Sequence, residues 1–376
     1  MRLRPVTGFV VSTLLLVGCS GSGGKGAGPT TAPPTTARVP SEAAPAYARR
    51  GPYVVALSTL PTANRDVQVL YPARPGSEVG KPRATYDIRE TLRDPTSPPL
   101  SSDPEQFITL PAYRDLPPAP GRFPVVLFSH GYGATPVENV TLQADLAAWG
   151  FVVIVPDHVE RDTVAVVQGR ATVNDLRDAL VLRSALNVTA ANARLSATLD
   201  RTRVAAVGYS QGGATALTAL ALPEVDTAVA WASVAPPRGR PLAKKPAMLI
   251  GAQHDLDYGT DVQRKIYASL TGPGRLVLLG GGAGHATFAD DCANVRDIGE
   301  LIPGGDVKSA DNQLLDLAQN GCFPDEVDPR LAWPVITHFT VAQLRSVFGI
   351  DRTPVGLGDA ISSAFPGVPL VYAHRP

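Results

Sequence analysis

Apolar and polar positions alternate along this chain in blocks. Short, largely apolar runs occur at 123–130, 151–155, 204–207, 227–234, 247–250 and 276–279. Runs of this kind fit strands buried on both faces, as in a parallel sheet. Between them the spacing turns helical over Asn139–Trp149, Thr172–Ala193, the alanine- and leucine-rich Ala214–Leu222, and Asp261–Leu270. In the second of these, Val173, Leu176, Leu180, Leu186 and Val188 mark an apolar side, and Thr172 and Asp175 suit its N-terminal cap. Strand–helix alternation predicts an α/β fold, a central and mostly parallel sheet with helices on both faces. Upstream, Tyr53–Thr59 and Asp66–Tyr71 flank the turn-forming Pro61–Asn64 and predict an antiparallel hairpin. Lys81–Gly121 is polar and proline-studded, which predicts an irregular surface excursion.

Composition changes the picture mainly at the N-terminus. Arg2 and Arg4 precede the apolar run Val10–Val17, which is too short to span a bilayer, and Leu16-Val17-Gly18-Cys19 resembles a bacterial lipobox. Residues 1–19 then form a leader ending at Cys19, which becomes the lipid attachment site; an ordinary signal peptide is the alternative. Residues 20–50, rich in Gly, Ser, Pro and Thr, predict a flexible tether, with residues 51–376 as a single domain. With Cys19 acylated in an oxidising compartment, Cys292 and Cys322 remain to pair as a disulfide, or stand as two buried thiols. The chain carries 34 basic and 34 acidic residues, so no net field favours nucleic acid. No Cys/His cluster has metal-ligand spacing, and neither a metal nor another cofactor is expected. Oligomeric state is not legible in the sequence.

The candidate chemistry centres on Gly208-Tyr209-Ser210-Gln211-Gly212, set between an apolar run and a helix. A serine pushed out on so tight a turn needs neighbours without a Cβ, and the following helix aims its first N–H groups at charge forming beside it. Packing glycines alone would give a weaker version of the same pattern. The pattern gains partners downstream. Asp255 follows the strand at Ala247–Ile250, and His285 follows Gly280–Gly284. Histidine titrates near neutrality and can take and return a proton, while a carboxylate fixes its tautomer. Asp257 and Asp157 are rival acids. Upstream, His130-Gly131-Tyr132-Gly133 ends a buried run where a backbone N–H can closely approach a substrate oxygen; His130 itself reads as structural. Asp290-Asp291 reads as solvent-facing or helix-capping.

The segments Phe123–Ala134, Asp145–His158, the serine turn and Gly284–Asp290 together resemble the platelet-activating factor acetylhydrolase-like serine esterases. They are similar also to bacterial cutinase-like and dienelactone hydrolase-like enzymes, although the latter carry a cysteine nucleophile where Ser210 stands. The resemblance, spanning roughly residues 50–350, implies an α/β-hydrolase fold and metal-free ester cleavage. It implies a Ser210–His285–Asp255 triad with an oxyanion held by the Tyr132 and Gln211 amides. A lipid or other small-molecule ester would be the partner, with the membrane reached through the N-terminal lipid anchor. An acyltransferase using the same acyl-enzyme and a non-catalytic surface binding protein are the alternatives. Residues 286–322, closed by the disulfide, are too long for a plain connection. They are expected to hold helices at 294–302 and 312–319 and to wall an acyl pocket through Leu301 and Ile302.

Overall fold

A computed structural model describes residues 41–87, 107–236, 242–294, 317, 319–323 and 325–376. Its first two strands, β1 (Val54–Pro61) and β2 (Asp66–Ala73), pair antiparallel as the expected hairpin. The described ends of the excursion, residues 81–87 and 107–121, are more ordered than its composition predicts. Within it, β3 (Thr85–Asp87) pairs with β4 (Phe107–Thr109), and β5 (Tyr113–Arg114) joins β1 in parallel. The apolar runs become β6 (Phe123–Ser129), β7 (Val152–Pro156), β8 (Leu199–Tyr209), β9 (Thr227–Trp231), β10 (Ala247–Ala252) and β11 (Gly274–Leu279). These six lie parallel to one another. A final strand, β12 (Leu370–Arg375), pairs antiparallel with β11 and carries no strong alternation that would have marked it. The ten-stranded order is β12-β11-β10-β9-β8-β6-β7-β2-β1-β5.

Side chains along the parallel strands divide alternately between two cores, as the two-residue period of a strand requires. Val126, Phe128, Val153, Val207, Trp231 and Ile250 pack on one face with α1 (Val140–Ala148). Val125, Leu127, Ile154, Ala206, Ala230 and Leu249 pack on the other. There they meet α3 (Asp175–Ala191), α4 (Gln211–Ala219) and α5 (Thr260–Ser269), while the short α2 (Thr163–Val167) precedes α3. After α6 (Asp290–Asn294), the long α7 (Pro329–Val347) returns to the α1 face, where Phe339, Ile336 and Leu344 are buried. Burial on both faces is what the largely apolar runs demand.

Three expectations are corrected. Residues 41–50 of the expected tether belong to the fold. Tyr47 is 5% exposed, its ring stacks on His338, and its N–H donates to His338 Nδ1 at 3.2 Å. The anchoring aromatic sits in a stretch otherwise too small and polar to bury itself. Secondly, α3 is capped by Asn174, whose side chain accepts the Arg177 N–H, and not by Thr172 or Asp175. Thirdly, the apolar side assigned to α3 faces outward in its first turns, with Leu176 and Leu180 exposed. Asp175 and Asp178 turn inward in their place, because each binds a polar group of the site described below. Cys19, Leu301, Ile302 and the 294–302 segment beyond Asn294 lie outside the described residues.

Candidate active site

The turn after β8 is as tight as its glycines predict. Ser210 has φ 55° and ψ −119°, in the left-handed half of backbone space, a conformation costing on the order of 1–3 kcal/mol. A Cβ at Gly208 would lie 2.0 Å from the Gly212 carbonyl oxygen, and one at Gly212 only 1.9 Å from that of Ser129. Alanine at either position would force the serine turn away from α4 or from the end of β6. The strain is held by a hydrogen bond from the Ser210 N–H to the Trp231 carbonyl, at 2.8 Å. In the first turn of α4 the Gly213 N–H turns back to the Ser210 carbonyl at 2.9 Å, while the Gln211 N–H immediately follows the serine and has no carbonyl four residues back within the helix to bind.

Three side chains from the ends of β8, β10 and β11 meet here. His285 Nε2 lies 3.0 Å from Ser210 Oγ, and His285 Nδ1 lies 2.7 Å from Asp255 Oδ2. All three residues are buried. The second Asp255 oxygen, Oδ1, accepts the N–H groups of Asp257 and Tyr258 at 3.2 and 2.9 Å. With both oxygens engaged, the carboxylate is fixed in rotation, and its partner nitrogen must carry the proton. His285 Nε2 is thereby left as the acceptor for the serine hydroxyl. Asp257 contributes its backbone to Asp255, and Asp157 lies beside His130, 3.4 Å from Nε2. Tyr209 donates its hydroxyl to the His285 carbonyl at 3.1 Å, so the serine strand and the histidine loop are joined directly. The Tyr258 ring lies 5.5 Å from the imidazole, and burial, followed by the charges of Asp257 and Asp255, raises its phenol above the ordinary value.

Sequence reasoning missed the residue that joins acid and base. Asn320, 5% exposed, accepts the His285 N–H at 2.9 Å and the Leu256 N–H at 3.2 Å on Oδ1. Its Nδ2 donates to the His254 carbonyl at 3.1 Å, and its own carbonyl accepts the Ala286 N–H. One amide thus brackets both neighbours of Asp255 and the backbone of His285. The disulfide Cys292–Cys322 closes two residues further on, with Cα atoms 5.2 Å apart. Gly284 is required at this contact, since its Cβ would meet the Asn320 side chain at 2.6 Å.

Tyr132 stands at the mouth of the turn after β6, 37% exposed, and its N–H has no acceptor among the described residues. His130 is structural. Its Nδ1 lies 2.9 Å from the Gly131 carbonyl, which can only accept, so Nδ1 holds the proton and Nε2 takes the His158 N–H at 2.9 Å. His158 is wholly buried, and desolvation, then the Arg161 charge, holds it well below the usual imidazole range. Gln211 turns its side-chain amide to Asp175 at 2.8 Å. Asp290 caps α1 by accepting the Thr141 N–H at 3.0 Å, which gives that member of the acidic pair a structural use. Among the described residues no group of three or more His, Cys, Asp or Glu side chains could hold a metal ion. Among them also, no helix is long and apolar enough to cross a membrane.

Known proteins share this arrangement in fold. The solved structure of ferulic acid esterase from Streptomyces cinnamoneus superposes with a TM-score of 0.62, covering 84% of this chain and 96% of that one at 23% identity. The chain has the α/β-hydrolase fold. A family model described as Chlorophyllase matches residues 101–249, less than half the chain. That match takes in Tyr132, Ser210 and Gln211 and stops short of Asp255 and His285. No curated protein matches the chain in sequence.

Proposed function

We propose that the protein is a serine hydrolase of carboxylic esters working through an acyl-enzyme. The observation that carries this reading is the continuous relay from Asp255 through His285 to Ser210, at 2.7 and 3.0 Å, on a strained serine turn. Ser210 Oγ attacks the ester carbonyl while its proton passes to His285 Nε2. The carbonyl π-electrons move to oxygen, and the Tyr132 and Gln211 N–H groups receive that oxyanion. Collapse breaks the bond to the alcohol, which leaves with the proton from His285. Water then repeats the sequence on the acyl-serine, releasing the acid and restoring Ser210. Asp255 stabilises the imidazolium throughout and holds its tautomer.

The esterase named in the neighbouring structure's title is consistent with this class of substrate. The resemblance to platelet-activating factor acetylhydrolase-like enzymes favours a lipid or other small ester. The leader ending at Cys19 supports export and anchoring of the protein by an N-terminal lipid, and the Cys292–Cys322 disulfide fits an oxidising compartment. The test is turnover of p-nitrophenyl esters across a series of acyl lengths, with a phospholipid and a polyester film alongside and acyl products followed in water and in added alcohol. Free acid as the main product supports the hydrolase; ester as the main product at low alcohol assigns an acyltransferase; no turnover of any substrate overturns the reading.

A further inference from the structure

Arg161, between β7 and α2, is fully buried, and its guanidinium faces backbone as much as charge. Nη1 donates to the carbonyls of His130 at 2.8 Å and Gly131 at 2.6 Å. Nη2 donates to Ser129 Oγ at 3.0 Å, and Nε to Asp178 Oδ2 at 2.9 Å. The Arg161 carbonyl accepts the Gly133 N–H at 2.8 Å. One residue thus grips the chain from Ser129 to Gly133. The Gly131 oxygen is held twice, since it also accepts His130 Nδ1–H.

The Gly131–Tyr132 peptide is trans, so its C=O and N–H point in opposite directions. With the oxygen drawn inward to Arg161, the Tyr132 N–H is turned away from the guanidinium and remains without an acceptor among the described residues. Pairing of Ser129 with Gly208 sets this stretch alongside the serine turn. Contact there is close: a Cβ at Gly212 would lie 2.6 Å from the His130 oxygen. Burying a guanidinium against a single carboxylate is costly, and an apolar side chain of similar volume often serves stability as well or better. What an apolar side chain lacks is a rigid fork of charged donors for two adjacent carbonyls. A charged donor on a carbonyl also polarises its peptide and strengthens the N–H on the far side.

We propose that Arg161 is a positioning residue of the oxyanion hole, holding the Gly131–Tyr132 peptide so that its N–H meets the tetrahedral oxygen. This rests on the esterase reading above. The test compares wild type with Arg161→Lys and with Arg161→Met combined with Asp178→Asn, so that no buried carboxylate is left alone. Each protein is melted, assayed for kcat and KM on p-nitrophenyl acetate, and titrated with a short alkyl trifluoromethyl ketone, whose adduct on serine carries the oxyanion. In the double variant kcat should fall about 10²–10³-fold, the loss seen when one oxyanion donor is removed. KM should stay within about threefold, and ketone affinity should fall in step with kcat. Lysine keeps the charge without the fork and should lie between; if the double variant does not fold, it carries the test. Folded variants with kcat and ketone affinity within about threefold of wild type would overturn the proposal. So would a kcat loss with ketone affinity unchanged, which would assign Arg161 to packing alone. Wild type lacking both turnover and ketone binding would instead sink the esterase reading itself.

Discussion

Replacing Asn320 by alanine measures how firmly acid and base are held together. The change removes an acceptor from the His285 and Leu256 N–H groups and a donor from the His254 carbonyl. A buried polar group left unpaired costs about 1–3 kcal/mol. His254 and Leu256 are both exposed, so water can take up the carbonyl of the first and the N–H of the second, and the buried His285 N–H carries most of the loss. A total of about 2 kcal/mol follows, which at about 2.1 cal/mol/K of unfolding entropy per residue lowers the Tm of a chain of this length by about 3 °C. Asn320 touches neither Ser210 nor the carbonyl to be attacked, yet it fixes the backbone on both sides of Asp255 and at His285. Misplacement of a catalytic group by about 1 Å costs on the order of 10²-fold, so kcat should fall about 10- to 100-fold with KM little changed. Differential scanning calorimetry and steady-state kinetics on one preparation read both effects. A variant melting within about 1 °C of the parent, with kcat within about twofold, would show that the bracket holds nothing.

Asp255→Asn should lower kcat by about 10⁴-fold through the wrong imidazole tautomer, whereas Asp257→Asn leaves the 2.7 Å contact intact and should cost little; the reverse pattern would move the acid. His338, buried between the Tyr47 N–H and the Gly356 carbonyl, is pushed by burial down to about 4. The unfolded chain binds this proton below about 6.5 and the folded chain only below about 4, so the contribution is whole above that window and lost as pH falls through it. It amounts to about 3 kcal/mol, and denaturant midpoints at neutral and mildly acidic pH should therefore diverge less in His338→Gln than in wild type. His158 titrates downward as well, so only the difference between the two proteins isolates His338, and equal divergence would refute the assignment. Reducing Cys292–Cys322 should remove about 3–4 kcal/mol of stability on the chain-entropy estimate for a separation of 30; an unchanged melting temperature would make the segment a decoration.

Legibility in the sequence followed how locally each feature is determined. The serine turn could be read because its geometry excludes a Cβ at Gly208 and Gly212, and glycine is visible in a sequence. The parallel strands were visible because burial on both faces leaves few polar positions. Asn320 was not, because it meets His285 across 35 residues and a lone amide carries no pattern. The outward Leu176 and Leu180 misled for a related reason: Asp175 and Asp178 occupy the inward positions, so periodicity marked the wrong side. Tyr47 was hidden by its neighbours' composition, and its place on His338 depends on α7, more than two hundred residues later.

The central claim is that Ser210 is the nucleophile, and covalent trapping tests it most directly. Wild type treated with an alkyl fluorophosphonate should gain one adduct mass, mapped by peptide sequencing to Ser210, as ester turnover disappears. Ser210→Ala should melt like the parent, take up no label, and lose about 10⁴-fold or more in turnover. Label on another residue, or turnover near the parental rate in Ser210→Ala, would contradict the account.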